Sequence, residues 1–398
     1  MCGIVGYVGY DEAAGKIIEG LKKLEYRGYD SSGIAILSDK GIELNKCKGE
    51  IKNLENMIAG RVPSGTCGIG HTRWATHGAP SDVNSHPHMD QSGRVALVHN
   101  GIVENYVELK EALINEYGIK FKSETDSEVI AQLVGVKYNA NGGDLEKAVY
   151  DATKEMRGTY AIGVIAEDTP DKIVAYRKEA PLIAGLGKKS NFIASDIPAL
   201  LKYTNDIFLI ENDEMVICTP DSITIKDKDG KEVKREAMKI TWSVEDAEKG
   251  GYEHFMLKEI NEQPKVVAET LNRRIDEDGK IKLDGINLTK EELDKYNKIY
   301  IVACGTAYHA GLVGKYVIEK MAGIAVEVDV ASEFRYRDPF IDEKTLFIAI
   351  SQSGETLDTL MSLRLAKEKG ARVLSVVNVV GSSIARESDD VFYTWAGP

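Results

Sequence analysis

The chain predicts two domains of different class, a layered α+β domain first and a parallel, doubly wound α/β domain after it. Three observations carry this. Strands in the first part are joined by short turns, as in 159–178, which favours antiparallel pairing. Helical stretches with apolar residues at three- and four-residue spacing lie between them. After about residue 290, continuous apolar strands alternate with helices, the pattern of a parallel sheet covered on both faces. The expected limits are 2–240 for the first domain, 241–290 for a charged helical connector, and 291–398 for the second.

In the first domain, 3–9, 33–37, 95–101, 159–167, 172–178, 191–195 and 214–220 read as strands bounded by turn residues. CGIGH (67–71) is a further strand. Segments 11–25, 104–117, 124–138 and 144–157 read as amphipathic helices; in the first, Ala14, Ile17, Ile18, Leu21 and Leu24 recur at helical spacing. Helices laid beside such a sheet give a layered domain. In the second domain the strands are 298–305, 324–331, 345–351, 372–378 and 391–395, with helices at 307–321 and 356–369. The terminal TWAGP falls just past a strand with no closing helix. An open sheet with an unpaired edge is a liability, so this domain is expected to be incomplete and the chain part of something longer.

Composition narrows the function. A net charge of −13 disfavours non-specific binding to nucleic acid or to an anionic membrane. The five cysteines include no CxxC pair and read as reduced thiols. Asp11, Glu12 and Lys16 interrupt any apolar leader, and no run of about 18 apolar residues could span a bilayer. A cytoplasmic protein is expected.

Chemistry begins at Cys2. Removal of Met1 before a small residue would leave a cysteine bearing its own α-amine, which can take the thiol proton, so nucleophile and base sit on one residue. The amine then returns a proton to departing ammonia. The bland alternative is an inert thiol in an N-terminal strand. Other loops add partners. HTRWATHG (71–78) gathers Arg73, Trp74, Thr76 and His77, and Arg73 offers a planar fork for a carboxylate. VHNG (98–101) ends a strand with Asn100 and Gly101, an amide and a backbone N–H fit for an oxyanion hole. SETDSEV (123–129) opens a helix with Asp126, a partner for an ammonium group. Singly these could be a surface ion pair, a turn and a helix N-cap. Histidines 71, 77, 86, 88 and 99 crowd the same region, but HPH matches no familiar zinc spacing. They are expected to shape a polar pocket, and no metal or cofactor is expected.

MCGIVGYVG, LEYRGYDSSG, HTRWATHG, NSHPH, VHNGIVEN and SETDSEV resemble, in order and spacing, the N-terminal-nucleophile (class II) glutamine amidotransferases over roughly 2–220. The resemblance implies a four-layer αββα Ntn-hydrolase fold with Cys2 as nucleophile. It implies that Arg73, Thr76, His77 and Asp126 hold L-glutamine, that Asn100 and Gly101 hold the oxyanion, and that Trp74 stands where the family has an aromatic gate for ammonia.

The second domain selects the acceptor. No acidic pyrophosphate loop follows a strand, and no SGGxDS-type ATP loop occurs. TLFIAISQSGETLDTL (345–360) instead places Ser351, Gln352, Ser353 and Thr356 around a glycine at the mouth of a helix, where hydroxyls, backbone N–H groups and the helix dipole can cradle phosphate without lysine. ACGTAYHAG (303–311) repeats the arrangement with Thr306. A plain helix N-cap is the alternative. With ASEFRYRDP (331–339), these segments resemble the first sugar-isomerase (SIS) domain of the glutamine–fructose-6-phosphate aminotransferase family. That implies fructose 6-phosphate as acceptor, bound through Thr306, Ser351, Gln352, Ser353 and Thr356, glucosamine 6-phosphate as product, and a homodimer. Ala307 stands where the family often has serine, removing one hydroxyl. The transfer half of the reaction is expected to need residues after Pro398. Two other readings stay open: a glutaminase serving another sugar phosphate, and a phosphosugar-binding regulator, which would need none of Cys2, Arg73, Asn100 and Asp126.

Overall fold

The computed structural model describes residues 2–75, 78–240, 251–276, 278–283 and 285–397. Two of the expected glutamine-binding residues, Thr76 and His77, lie outside them. The chain divides into two compact units, residues 1–244 and 245–398.

The first unit holds two antiparallel sheets. One comprises β1 (Gly3–Gly9), β2 (Ser31–Ser38), β3 (Gly41–Lys48), β4 (Cys67–Arg73), β9 (Ile183–Leu186), β10 (Ser190–Ala194), β11 (Asp206–Leu209) and β14 (Met238–Lys239), in the order β14-β11-β9-β10-β1-β4-β2-β3. The other comprises β5 (His88–Met89), β6 (Val95–Val103), β7 (Gly158–Ala166), β8 (Ile173–Lys178), β12 (Glu214–Cys218) and β13 (Ile223–Lys226), in the order β13-β12-β8-β7-β6-β5. Alternation along each strand builds the layers. In β6, Ala96 and Val98 meet Ile4, Val8 and Ile69 of the facing sheet, whereas Val95 and Leu97 turn outward onto helices. Those helices are α3 (Tyr106–Tyr117), α4 (Asp126–Ala140) and α5 (Leu145–Glu155), which bury Leu113, Ile130, Val134 and Val149 against the sheet. On the other side lie α1 (Ala13–Lys23) and α2 (Ile51–Ile58). There Gly70 of β4 leaves room for Ile17 and Leu21 of α1; a Cβ would stand 2.4 Å from Ile17. The result is four layers, αββα.

Local sequence explains the helix ends that matter. The Thr125 side chain caps α4 by accepting the Glu128 N–H at 3.2 Å. The Glu128 carboxylate in turn takes the N–H groups of Lys122 and Ser123, so four residues of loop are locked ahead of Asp126. Asp126 is thus the first helical residue and not the N-cap. α3 ends at Gly118 with φ 65°, the left-handed closure glycine accepts readily.

In the second unit, β15 (Lys298–Ala303), β16 (Ala325–Val330), β17 (Thr345–Ser351), β18 (Arg372–Val377) and β19 (Asp390–Tyr393) form one parallel sheet ordered β16-β15-β17-β18-β19. Helices α8 (Gly305–Ala322), α10 (Leu357–Glu368) and α11 (Ser383–Glu387) connect them, with a short α9 (Ala331–Phe334). Strand order reverses between β15 and β17, and a crevice opens beyond the C-terminal ends at such a switch point. The expected connector belongs to this unit in part. Its α6 (Phe255–Asn272) lays Arg274, just past its end, over the Phe392 ring at 3.9 Å. Residues 241–250 of the expected connector lie outside the described residues, and 273–276, 278–283 and 285–289 are irregular rather than helical and lead into α7 (Lys290–Leu293). Val391 N–H bonds Gly285 O at 3.1 Å, and the fully buried Asp390 takes the Asn287 N–H at 2.7 Å and Arg372 Nε at 2.8 Å.

Candidate active site

Cys2 stands immediately before β1, at the end of the first sheet where β4 finishes and β2 begins. Its half-buried thiol lies between the two main-chain groups of Trp74: the Trp74 N–H points at Sγ at 3.2 Å and the Trp74 carbonyl is 3.5 Å away. Burial pushes the thiol up, with the Trp74 N–H, Arg73 and Arg27 pulling the other way. The thiol form therefore dominates near neutrality, and a nucleophile here needs a base beside it.

Two side chains grip the Cys2 carbonyl. Arg27 Nε donates to it at 3.2 Å and Asn100 Nδ2 at 3.1 Å. Arg27 is buried and neutralised by Asp196 at 2.8 Å, which also accepts from Tyr26 at 2.6 Å. The Asn100 amide carries two hydrogens, so one can hold Cys2 while the other stays available. Its orientation is set from behind. His71 Nε2 lies 3.0 Å from both Asn100 Oδ1 and the His99 carbonyl. Two oxygens that can only accept require the proton on Nε2. His71 thereby fixes which end of the Asn100 amide faces Cys2.

The strand does not end at Gly101, as expected, but runs to Val103. Gly101 pairs with Tyr160, holds φ at +119°, and leaves no room for a Cβ, which would sit 2.0 Å from Thr159 O. Gly101→Ala combines backbone strain with a clash against a main-chain oxygen. A cost of roughly 3–4 kcal/mol is expected, seen as a melting temperature about 10 °C lower for a unit of this size. An unchanged melt would show that the strand relaxes freely there.

HTRWATHG is also partly strand: His71–Arg73 belong to β4, and Trp74, Ala75 and Gly78 are its described loop residues. Arg73 is 4% exposed, donates from Nη2 to Gly78 O at 3.2 Å, and feels the charges of Asp126 and Asp30. Burial pulls its guanidinium down, and those acids and Cys2 offset this. Asp126 is 6% exposed and accepts the Val103 N–H at 2.9 Å. Trp74 is 44% exposed and packs edge-on against Tyr29 at 5.6 Å. The approach of this loop depends on Gly28, where a Cβ would meet Trp74 N at 2.7 Å. The Ala75 N–H is fixed by Asp30 at 2.9 Å. Cys2, Arg73, Asn100 and Asp126, far apart in sequence, thus converge on one end of the two sheets.

Behind them lies a histidine cluster. His71 stacks on His86 at 4.1 Å, His88 meets His86 edge-on at 4.9 Å, and His99 bonds Ser127 Oγ at 2.8 Å. Burial lowers all four, His71 to about 3, and they are neutral near pH 7. Among the described residues no group of His, Cys, Asp and Glu is arranged to hold a metal ion.

Arg27 is not among the expected site residues, and His71 is expected only to shape a polar pocket. Arg27 lies inside LEYRGYD, three residues ahead of Asp30, and a buried guanidinium demands partners. His71 occupies alternate strand positions with Arg73, which places both on one face.

In the second unit, Thr306 opens α8 at the end of β15, exposed and preceded by Gly305 at φ +58°. Ser351 Oγ ends β17, takes the Gly354 N–H at 3.1 Å and lies 3.2 Å from Thr356 Oγ1. Ser353 Oγ accepts the Glu355 N–H at 3.2 Å, and Gln352 is exposed. Thr359 Oγ1 to Cys304 Sγ at 3.8 Å ties the two loops together. The Glu355 carboxylate is turned away onto Ser383 N and Oγ at 2.8 and 2.9 Å, so it does not oppose an anion at the α10 N-terminus. The five expected residues thus fall on two neighbouring strand ends at the switch point.

Residues 71–202 match the glutamine amidotransferase domain family and residues 292–398 the SIS domain family. A glutamine–fructose-6-phosphate aminotransferase [isomerizing] of Clostridium tetani is 60% identical over 398 residues, all of this chain and 65% of that protein. Its counterpart in Thermus thermophilus is 50% identical over 399 residues with the same shares.

Over its whole length the chain is similar to the glutamine–fructose-6-phosphate aminotransferases.

It spans 65% of the length of these relatives. Glutamine PRPP amidotransferase from B. subtilis, complexed with ADP and GMP, is 18% identical and superposes with a TM-score of 0.52 over 94% of this chain and 81% of its own, a likeness of fold. The Ntn amidotransferase fold and the parallel-sheet SIS domain expected from sequence both stand. No helix among the described residues is long and apolar enough to cross a membrane.

Proposed function

We propose that the chain hydrolyses L-glutamine at Cys2 and supplies the ammonia for converting fructose 6-phosphate to glucosamine 6-phosphate, as the names of its relatives suggest. The convergence of Cys2, Arg73, Asn100 and Asp126 carries the first half of this reading. With Met1 removed, the α-amine of Cys2 accepts the thiol proton, and Sγ attacks the carboxamide carbon. The second Asn100 N–H and the Gly101 N–H receive the oxyanion. The amine returns the proton to ammonia, and water releases glutamate from the thioester. Arg73 takes the α-carboxylate and Asp126 the α-ammonium, with Thr76 and His77 as further glutamine contacts. Trp74, exposed and bonded to Sγ through its own N–H, suits a gate on the ammonia path.

Thr306, Ser351, Gln352, Ser353 and Thr356 would take the phosphate of the sugar. The domain limits proposed are 2–240, 241–290 and 291–398, in a cytoplasmic homodimer. Neither nucleic acid nor a membrane is a proposed partner, given the charge of −13. The central test mixes the chain with L-glutamine and measures glutamate and ammonia together. Equal release of both supports the glutaminase; no release sinks it. Titrating fructose 6-phosphate tests the acceptor half: Ser353→Ala and Thr356→Ala should each weaken binding about tenfold, the loss of one hydrogen bond to a charged group. Affinity unchanged in both would displace the phosphate from this loop.

A further inference from the structure

One side chain beside Arg73 has no task in the mechanism above. Ser31, the first residue of β2, is 0% exposed, and its Oγ has no hydrogen-bond partner among the described residues. A buried hydroxyl without a partner is a net cost to folding that alanine at the same position would avoid. Its position is defined by register. Ser31 pairs directly with Arg73, as Gly33 does with His71. Directly paired residues of antiparallel strands share a face of the sheet. That face is the one turned towards the second sheet, because His71 reaches Asn100 across it. On the other flank of β4, Gly3 pairs with Thr72, so Cys2 comes next to Arg73 by continuation of the same register. Cys2, Arg73 and Ser31 therefore form a row across three adjacent strands at the mouth of the site.

The two carboxylates nearby are already engaged. The Asp30 carboxylate holds the Ala75 N–H, and Asp126 holds the Val103 N–H. The Ser31 hydroxyl is the uncommitted donor in the row, next to the cation that would meet the negative end of an amino acid.

We propose that Ser31 is a binding residue for the α-carboxylate of glutamine, donating its O–H to one carboxylate oxygen while Arg73 takes the other. This rests on the reading that glutamine lies against Arg73. Binding of the carboxylate is made equally in ground and transition states, so its loss should fall on KM and spare kcat.

The test is Ser31→Ala, assayed for glutamine hydrolysis and thermal stability in the same preparation. A KM about tenfold higher is expected, the effect of one charge-assisted hydrogen bond, with kcat within about twofold and a melting temperature equal to or above that of the parent. An unchanged KM overturns the proposal. A raised KM accompanied by a lowered melting temperature assigns Ser31 to packing and overturns it as well. If the parent chain releases no glutamate, the glutaminase reading falls first. A direct titration with L-glutamate then decides Ser31 separately, and equal affinity of parent and variant overturns it.

Discussion

Cys2→Ala is expected to lower ammonia release from glutamine by about three orders of magnitude or more, the usual consequence of removing a covalent nucleophile. The fold should hardly notice. What anchors the N-terminus is not the thiol but the main chain of Cys2, whose carbonyl is gripped by Arg27 Nε and Asn100 Nδ2. Alanine keeps that carbonyl, and it removes a group that burial already holds in the thiol form. Melting temperature and fructose 6-phosphate affinity should therefore match those of the parent. Steady-state assay of glutamate alongside a thermal melt checks both arms. Glutamine turnover within about twofold of the parent would end the case for Cys2 as nucleophile, whatever the melt shows.

The second large effect is acid sensitivity of the first unit. His71, His86, His88 and His99 are all lowered by burial. Folded, they stay neutral; unfolded, each takes up a proton below pH about 6.5. Unfolding then binds protons, so stability that is fully present above pH 6.5 is lost as pH falls from there towards about 3, where His71 itself titrates in the folded state. For His71 this withdraws up to about 1.4 kcal/mol per pH unit inside that window, or about 2 kcal/mol by pH 5, and His86, His88 and His99 act in the same direction. Even a few kcal/mol is a large share of the roughly 5–15 kcal/mol that holds a typical domain. Urea or thermal unfolding of the first unit at pH 7 and pH 5 should show a steep drop. A midpoint that does not move over that range would show that the cluster is solvated or already protonated.

Legibility from sequence followed the physics of burial. The strands of the second unit are covered by helices, so KIYIVA and TLFIAIS are continuous apolar runs and were readable, with bounds that held within one or two residues. In the first unit, β1, β7 and β12 are similarly buried and were read. β3 was not: in GIELNKCK, on the sheet's edge, Ile42 and Leu44 are interleaved with Gly41, Glu43 and Asn45 and only partly buried. The two-residue strands β5 and β14 carry too few residues for any periodicity. Within the site, Arg73 and Asn100 stood out beside glycine-punctuated loops although both lie in strands. Asn100 and Gly101 were taken as a strand end because Gly101 resembles a stop, yet its φ of +119° lets the strand pass through. Arg27, in the turn after α1, and His71 and Ser31, in paired strands, are visible only once the fold places them beside Cys2 and Arg73.

The carboxylate of Asp390 has a bearing on modularity. Wholly enclosed in β19, it depends on Arg372 from the neighbouring strand and on the Asn287 N–H from the segment upstream. The SIS family match begins at residue 292, five positions past that donor. A gene fusion or domain exchange joined at 292 would inherit an enclosed acid missing one of its hydrogen bonds, and would also shed the Gly285 carbonyl that closes onto Val391. The natural seam for recombination of this unit therefore lies ahead of Gly285, on the far side of the strap that an alignment would discard as linker.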